Sequence, residues 1–253
     1  MSENNGQILS DRHRADLDRS GLSKETIRAC QFATVRHPDH IAAILGWDKP
    51  AITLGECLEM PFLNPNGTRS GYSRLKPDRP RKGTDGKLIK YEAPKGIPLK
   101  AYFPPRTRKV LTDATVPLIL TEGEKKSAKA DQEGFPSIGL CGVWAWQKKR
   151  EGNGPRELIP DLNDVVWQDR KVAIVFDSDA ATKSDIRLSE NELAKVLAAF
   201  GARVKIVRLP GGENELKVGL DDYLLGHSPE DLRKLIDDVP QHPRSAARRR
   251  ATA

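Results

Sequence analysis

The chain has 253 residues, of which 38% are hydrophobic and 30% are charged, and its mean hydropathy is -0.56. This length allows one or two domains, and no run approaches the ~20 apolar residues of a membrane span, which argues against a membrane protein. Three isolated cysteines argue against a disulfide scaffold or a zinc ribbon. Since the first residues also lack the layout of a secretory signal, we expect a cytoplasmic protein.

Positive charge is concentrated in one stretch of the chain. Residues 71–110 hold twelve Lys and Arg against three Asp and Glu, a net charge of +9, whereas the whole chain carries +7. A dense basic segment favours binding to a polyanion because counterions are released, although a solvated loop would carry the same charge. We predict that this segment binds DNA, with Arg79, Arg81 and Lys82 among the contacts.

The composition divides the chain into four parts. Two short helices are predicted over residues 10–18 and 23–30, the second of them capped by Ser23. A region rich in Pro and Gly follows, then apolar strands that alternate with helices, then a basic tail. The predicted boundaries give a helical segment over 1–46, a basic β-rich segment over 47–115, an α/β domain over 116–238 and a disordered tail over 239–253.

Three strands are predicted in the β-rich segment, over residues 71–77, 87–94 and 98–105. Aromatic side chains stand among lysines and arginines in these strands. Such side chains can stack on bases, but at alternating strand positions they more often fill a core, and we favour the core. The residues concerned are Tyr72, Tyr91, Tyr102 and Phe103.

The α/β domain is predicted to hold a parallel sheet that is covered by helices on both faces. Its strands are continuous apolar runs, as in sheets buried on both sides. One amphipathic helix presents Leu193, Val196, Leu197 and Phe200 on a single face, and a last helix is capped by Ser228. Functional groups in such sheets lie at the carboxyl ends of the strands.

Carboxylates stand at two of these strand ends. Glu122 follows one apolar run directly, and Asp177 and Asp179 follow another one 55 residues later. If the two strands are neighbours, three carboxylates meet, and a cation has to relieve their repulsion. Oxygen ligands at this density suit Mg²⁺ or Mn²⁺. Capping of the two following helices is the structural alternative, and it accounts for only one acid at each place.

These motifs resemble a TOPRIM domain, the fold shared by bacterial primases, type II and IA topoisomerases and some small nucleases. The resemblance rests on LILTEGEKKSAKADQEGFPSIGL followed by VAIVFDSDA. It implies an α/β fold with a TOPRIM-like parallel sheet flanked by helices, preceded by a small helical and β-rich basic region. The catalytic and metal-binding residues that it implies are Glu122, Asp177 and Asp179.

A later acidic stretch, RLPGGENELKVGLDDYL, is similar to the segment that follows the fourth strand in primase-type TOPRIM proteins. It adds Asp221 as a candidate metal ligand. Adjacent residues at a helix start point about 100° apart, so only one of the two neighbouring acids can readily face a metal. We assign Asp221 to the metal and Asp222 to the cap of the following helix.

A closer resemblance is to DUF3854, a domain of phage and plasmid replication proteins that is often joined to a helicase. It rests on TEGEKKSA, GLCGVWAW, FDSDA and KVGLDDYL, and with the basic stretch upstream it covers about residues 70–225. DNA, single-stranded DNA in particular, is the expected partner. Because no P-loop motif occurs in the chain, the resemblance implies a separate helicase or replication protein.

The sequence departs from many TOPRIM primases beside the first glutamate. Those proteins have an acid at the position of Lys126, which here follows Lys125. We predict that both lysines contact phosphates, although they can equally mark a site that no longer supports two-metal chemistry.

A loop after the second strand of the domain combines tryptophans with cations. Trp144 and Trp146 are followed by Lys148, Lys149 and Arg150. Such a loop can grip single-stranded DNA, and the three cations are predicted DNA contacts. Alternatively, the tryptophans cover the edge of the sheet.

Three functions are open at this point. The first is a Mg²⁺-dependent, primase-related protein that acts on phosphodiester bonds in the DNA replication of a mobile element. The second is a replication accessory that binds DNA without catalysis, and the third is a small metal-dependent nuclease.

Overall fold

The computed structural model describes residues 9–149, 152, 154–212 and 216–243. Contacts divide the chain into two compact units, Met1–Leu99 and Lys100–Ala253. The domain boundaries drawn from composition stay predictions, and residues 244–253 of the predicted tail lie outside the described residues. In the described part of the chain, no helix is both long and apolar enough to cross a membrane.

The N-terminal unit combines short helices with a three-stranded antiparallel sheet in the order β1-β2-β3. Ser10 and Ser23 cap the first two helices through their side chains, so both predicted helices are confirmed. The elements of this unit are α1 (Asp11–Arg19), α2 (Lys24–Ala29), β1 (Ala33–Val35), α3 (Pro38–Leu45), β2 (Cys57–Leu63) and β3 (Arg69–Pro77).

The central strand β2 is buried along its whole length, although its sequence does not have the pattern of a strand. Its buried Glu59 accepts hydrogen bonds from Arg69 and Ser73 of β3, both at 2.7 Å. Pro61, which cannot donate to the ladder, lies where the pairing with β3 becomes irregular. Because Glu59 and Pro61 interrupt its apolar residues, the sequence of β2 does not show the apolar run that is typical of a buried strand.

Of the three strands predicted in the basic segment, only the first is confirmed, as β3. The prediction was wrong for residues 87–94 and 98–105, which form isolated bridges such as Leu75 with Glu92 and Tyr102 with Gly139. Prolines stand at the ends of both stretches, and a residue without a backbone N–H cannot extend a ladder. The preference for core aromatics is confirmed for Tyr72 and Tyr102, which are both buried.

The C-terminal unit holds the predicted parallel sheet. Its strands are ordered β5-β4-β6-β7, and all three pairings are parallel. The elements of this unit are β4 (Leu118–Glu122), α4 (Glu124–Gln132), β5 (Ser137–Leu140), α5 (Pro160–Asn163), β6 (Lys171–Phe176), α6 (Ser184–Ala199), β7 (Arg203–Arg208), α7 (Leu220–Gly226) and α8 (Pro229–Asp238).

Alternate strand residues of this sheet enter two separate cores, so helices cover both of its faces. Leu120 and Ile174 pack with α6, whereas Ile119 and Val175 pack with α4, α7 and α8. The prediction of a sheet covered on both sides is thereby confirmed.

The predicted apolar face of α6 is confirmed only in part. Leu193 and Leu197 are fully buried, and Val196 is partly buried against the same core. The prediction was wrong for Phe200, which is 50% exposed because the helix ends at Ala199 and its chain turns away there.

Candidate functional site

The acids predicted at the strand ends stand at the carboxyl end of the parallel sheet. Glu122 is the last residue of β4, and Asp177 follows the last residue of β6. β4 and β6 are neighbours, and the chain leaves them toward opposite sides of the sheet, to β5 and to β7. Ligands of open α/β sheets bind at such a topological switch point.

Asp177 is 2% exposed and is held by two lysines. Lys126 Nζ donates to both of its carboxylate oxygens, at 2.5 and 2.7 Å, and Lys217 Nζ lies 2.7 Å from Oδ2. Lys126 reaches this position from the first turn of α4, where Gly123, at φ 103°, lets the chain turn sharply from strand to helix. A carboxylate this deeply buried needs such ionic partners.

Asp179 lies one residue further along, in a short 3-10 turn (Ser178–Ala181). Lys183 Nζ donates to its Oδ2 at 2.7 Å, and Lys217 Nζ is 3.4 Å from the same atom. Burial works to raise the pKa of Asp179, but these two lysines outweigh it and hold the pKa below its ordinary value. Its other oxygen, Oδ1, is buried without a hydrogen-bond partner among the described residues.

Ser178 connects this turn to the loop that brings Lys217. Its backbone N–H donates to Val218 O at 2.9 Å, and its hydroxyl accepts from Val218 N at 2.8 Å. Ser178 and Lys217 were missed as site residues by sequence reasoning. The strand-end rule points to the acids on either side of Ser178, whereas Lys217 stands well beyond the end of β7.

The two neighbouring acids of α7 take different roles. Asp222 Oδ2 accepts from Gly219 N at 2.8 Å, so Asp222 helps to cap the helix as predicted, although it does so from the first turn and Gly219 is the N-cap residue. Asp221 is 6% exposed, and its Oδ1 has no partner in the described part of the chain. A Cβ added at Gly219 would lie 2.6 Å from Lys126 Cε and 2.8 Å from Asp221 Oδ1, so glycine leaves these two side chains room.

The pKa of Glu122 depends on its burial and on the charges of the neighbouring acids and lysines. Burial raises its pKa above the ordinary value, Asp177 and Asp179 act in the same direction, and Lys126 and Lys217 oppose them. Asp221 Oδ1 and Lys126 Cε both lie beside Gly219, and Lys183 pairs with Asp179, so these residues adjoin the same group. We call this set the acid–lysine cluster: Glu122, Asp177, Asp179 and Asp221 with Lys126, Lys183 and Lys217.

Helix capping does not explain these acids. The N-cap of α4 is Gly123 rather than Glu122, and Asp177, although it is the N-cap of the 3-10 turn, makes no side-chain capping hydrogen bond there. Asp177 and Asp179 are instead paired with lysines, of which Lys126 and Lys217 come from separate segments of the chain.

Within the described residues, no three His, Cys, Asp or Glu side chains already form a group that could hold a metal ion. The donor chemistry nevertheless fits a hard divalent cation, because Asp179 and Asp221 each keep a buried carboxylate oxygen without a partner. Asp177 differs from them, since lysines occupy both of its oxygens.

The predicted DNA contacts near this cluster have varied surroundings. Lys125 is half-buried, Lys148 pairs with Glu157 at 2.8 Å, and Lys149 is exposed. Arg150 lies outside the described residues. Their contact with DNA stays a prediction.

Trp146 cannot grip DNA, because it is fully buried and donates to Ser189 Oγ at 3.0 Å. Trp144 stacks against it, donates to Asp185 and has Arg156 over its ring at 4.5 Å. The interpretation that the tryptophans cover the sheet is therefore confirmed for Trp146.

In the N-terminal unit, the three predicted DNA contacts Arg79, Arg81 and Lys82 differ in the hydrogen bonds that they make within the protein. Arg81 makes two hydrogen bonds, at 2.7 and 3.0 Å, to Glu92, which is 4% exposed. Arg79 donates to Ile52 O at 3.1 Å, and Lys82 is exposed. Binding of DNA by these residues stays a prediction, and Arg81 has a structural role besides.

The sheet and its helices define an α/β protein, and solved structures of primase catalytic cores share this fold. Residues 108–231 match the model of the family DUF3854, described as a domain of unknown function. This match confirms the resemblance to DUF3854 that was seen in the sequence.

A curated relative is an uncharacterised protein of Picosynechococcus sp. strain PCC 7002. It is 26% identical over an alignment of 198 residues, which covers 66% of this chain but only 19% of that protein. The chain therefore spans about a fifth of the length of this relative.

Two similar solved structures are primases. That of Aquifex aeolicus, with its zinc-binding and RNA polymerase domains, gives a TM-score of 0.61 at 14% identity and covers 92% of this chain and 57% of its own. The RNA polymerase domain of Mycobacterium tuberculosis primase DnaG gives 0.59 at 15% identity, covering 92% of this chain and 78% of its own. At these identities the likeness shows the fold.

Proposed function

We propose that the chain is a primase-related protein that acts on phosphodiester bonds of DNA at the carboxyl end of its parallel sheet. The observation that carries this proposal is the acid–lysine cluster, which lies at the topological switch point of a primase-like fold. Carboxylates and ammonium groups together are the side chains that phosphoryl transfer uses, because they bind metal ions and phosphate oxygens.

In this proposal a divalent cation, Mg²⁺ or Mn²⁺, is held by Glu122, Asp179 and Asp221. When bound, it supplies charge stabilisation for phosphate oxygens. The buried, unpartnered oxygens of Asp179 and Asp221 support this choice of ligands. Asp177 would join them only if Lys126 and Lys217 released it.

The chain's own residues have distinct tasks at this site. Lys126 and Lys217 have flexible stems, and their ammonium groups can pass from Asp177 to the phosphates of a nucleotide or of DNA. In the alternative role for Glu122, in which the other acids hold the cation, its raised pKa suits its carboxylate to accept a proton from an attacking hydroxyl.

The proposed partner is single-stranded DNA, bound by the basic segment together with Lys125, Lys148 and Lys149. A related solved structure is described as the M. tuberculosis domain in complex with a double-stranded DNA oligomer with a 6-nucleotide overhang. A separate helicase or replication protein, and a role in phage or plasmid replication, complete the proposal.

A second candidate function is DNA binding without catalysis. It is favoured by one observation, namely that lysines hold both oxygens of Asp177. A chain that has exchanged a metal for internal cations would keep the fold and its basic surface but would transfer no phosphate.

One assay separates these functions. The protein is incubated with a single-stranded template, labelled nucleotides and Mg²⁺ or Mn²⁺. Extension products would support the primase-related function, cleavage products a nuclease, and a DNA complex without products an accessory.

The neighbouring acids of α7 provide matched variants for this assay. Asp221→Asn is expected to abolish the products, whereas Asp222→Asn, which alters only the helix cap, should keep most of them. Products that survive Asp221→Asn unchanged would contradict the assignment of Asp221.

A further inference from the structure

A cavity of about 560 Å³ opens at the amino end of the parallel sheet, opposite the acid–lysine cluster. Its lining lies wholly in the C-terminal unit and comes from the starts of β4, β6 and β7, the turn before β5, and α8. The volume lies in the range of ligand pockets, roughly 300–1,000 Å³. Its apolar lining includes Val116, Pro117, Phe135, Pro136 and Ile236.

Cations surround this apolar floor. Four basic side chains line the cavity against one acid, Asp237, so the charged lining sums to +3. The basic residues are Lys171, Arg203, Lys205 and Arg233. This amino-end cavity therefore combines an apolar floor with an electropositive rim.

Most of these cations are available to a ligand. Arg203 is paired with Asp169 at 3.4 Å, and Arg233 with Glu230 at 2.7 Å, but all four side chains are about half exposed or more. Exposed pairs of this kind contribute little to stability, so a ligand carboxylate can replace the internal partner. Lys171 is exposed.

Two of the cations also shape the cavity. The Arg233 guanidinium lies over the Phe135 ring, 5.0 Å from its centroid, so charge and aromatic surface meet at one place. Lys205 Nζ donates to the carbonyls of Ile236 and Asp237, which fixes the last turn of α8 against β7.

We propose that this cavity binds an acidic peptide segment that carries an aromatic or large aliphatic side chain. The apolar side chain would enter the floor beside Phe135 and Ile236, and the flanking carboxylates would meet Lys171, Arg203 and Arg233. The chain's own C-terminal sequence does not fit, because residues 244–250 contain four arginines and no acid. A nucleic acid backbone would meet the charge but would leave the apolar floor empty.

The proposal can be tested with a fluorescein-labelled poly-aspartate peptide that ends in phenylalanine, titrated with the full chain and followed by fluorescence anisotropy. Arg233→Glu and Lys171→Glu should each weaken binding by about tenfold, equal to about 1.4 kcal/mol. Lys234→Glu is the matched control, because Lys234 is exposed on the same helix but does not line the cavity. It should change the affinity by less than about twofold, a difference of under ~0.5 kcal/mol.

Further arms separate the cavity from the general basicity of the chain. The same peptide ending in serine should bind more weakly than the phenylalanine peptide, and equal affinities would overturn the proposal. Equal losses from Lys234→Glu and Arg233→Glu would overturn it as well. A last competition uses a variant whose basic segment is neutralised. If single-stranded DNA displaces the peptide from this variant, the cavity binds nucleic acid and the proposal is overturned. Thermal melting of each variant checks that it is folded.

Discussion

The two ends of the parallel sheet use their cations in opposite ways. At the carboxyl end, Lys126 and Lys217 hold the buried Asp177 at 2.5–2.7 Å. At the amino end, Arg203 and Arg233 make only exposed pairs around an apolar cavity. The number of positive charges is similar, but their partners differ in burial.

This difference separates charges that support the fold from charges that are free for a ligand. A buried carboxylate that loses its lysines costs several kcal/mol, whereas an exposed pair contributes little. An anionic ligand that uses Lys126 or Lys217 must therefore displace a buried carboxylate, whereas one that uses Arg203 or Arg233 displaces only an exposed carboxylate.

The largest expected effect is at Asp177. Asp177→Asn takes away the partner of two lysines, so the free energy of unfolding should fall by about 2–3 kcal/mol, less than for a fully buried pair because both lysines touch solvent. Asp169→Asn, the same substitution at the exposed amino end, should cost less than about 0.5 kcal/mol. Urea denaturation of both variants measures the two values, and equal losses would contradict the comparison.

Gly219→Ala should come next. The added methyl would lie 2.6 Å from Lys126 Cε and 2.8 Å from Asp221 Oδ1, so these two side chains have to shift, with an expected loss of about 1 kcal/mol. At Gly226, by contrast, an added Cβ meets no described atom within 4 Å, so Gly226→Ala serves as the control and should be neutral or slightly stabilising. Thermal melting reports both, and a Gly219→Ala protein as stable as the wild type would show that Lys126 is not fixed there.

A pH profile tests the burial of Glu122. Because its pKa is raised in the folded protein, the neutral carboxyl stabilises the fold at low pH, and this contribution is lost as the pH rises through the raised pKa. Glu122→Gln keeps the neutral form at every pH. The melting temperature of the variant should therefore rise relative to wild type between about pH 4 and about pH 8, on either side of the ordinary Glu pKa of ~4.3. A constant difference would argue against a buried carboxyl.

The smallest effect concerns a single exposed cation of the basic segment. Lys82→Ala should leave stability unchanged. It should reduce the slope of log K for single-stranded DNA against log salt concentration by about 0.7, the change expected for one lost phosphate contact. Arg81→Ala extends the contrast, since it leaves the buried Glu92 without its guanidinium and should cost stability first. Filter binding at several salt concentrations gives the slope, and an unchanged slope for Lys82→Ala would mean that this side chain only solvates a loop.

The parallel sheet was predictable because its apolar strands are continuous and its acids stand directly at strand ends. Strand β2 was not predictable from the sequence. The burial of Glu59 depends on hydrogen bonds from β3, and Pro61 lies where the pairing with β3 is irregular, and neither feature is visible in the local sequence. Of the two lysines that hold Asp177, only Lys126 could be assigned to the site from the sequence. Lys126 stands beside the motif, but Lys217 reaches Asp177 through a loop held by Ser178, which spacing along the chain does not show.

The central claim is that the acids at the carboxyl end form one cation-binding site. Electron paramagnetic resonance of Mn²⁺, titrated into the full chain, tests it most directly and needs no turnover. The account predicts that the wild type binds Mn²⁺ and that Asp179→Asn and Asp221→Asn each weaken binding by about tenfold or more, at least ~1.4 kcal/mol. Asp222→Asn should bind as the wild type does. A wild type that binds no Mn²⁺, or one whose affinity is unchanged in Asp221→Asn, would contradict the claim.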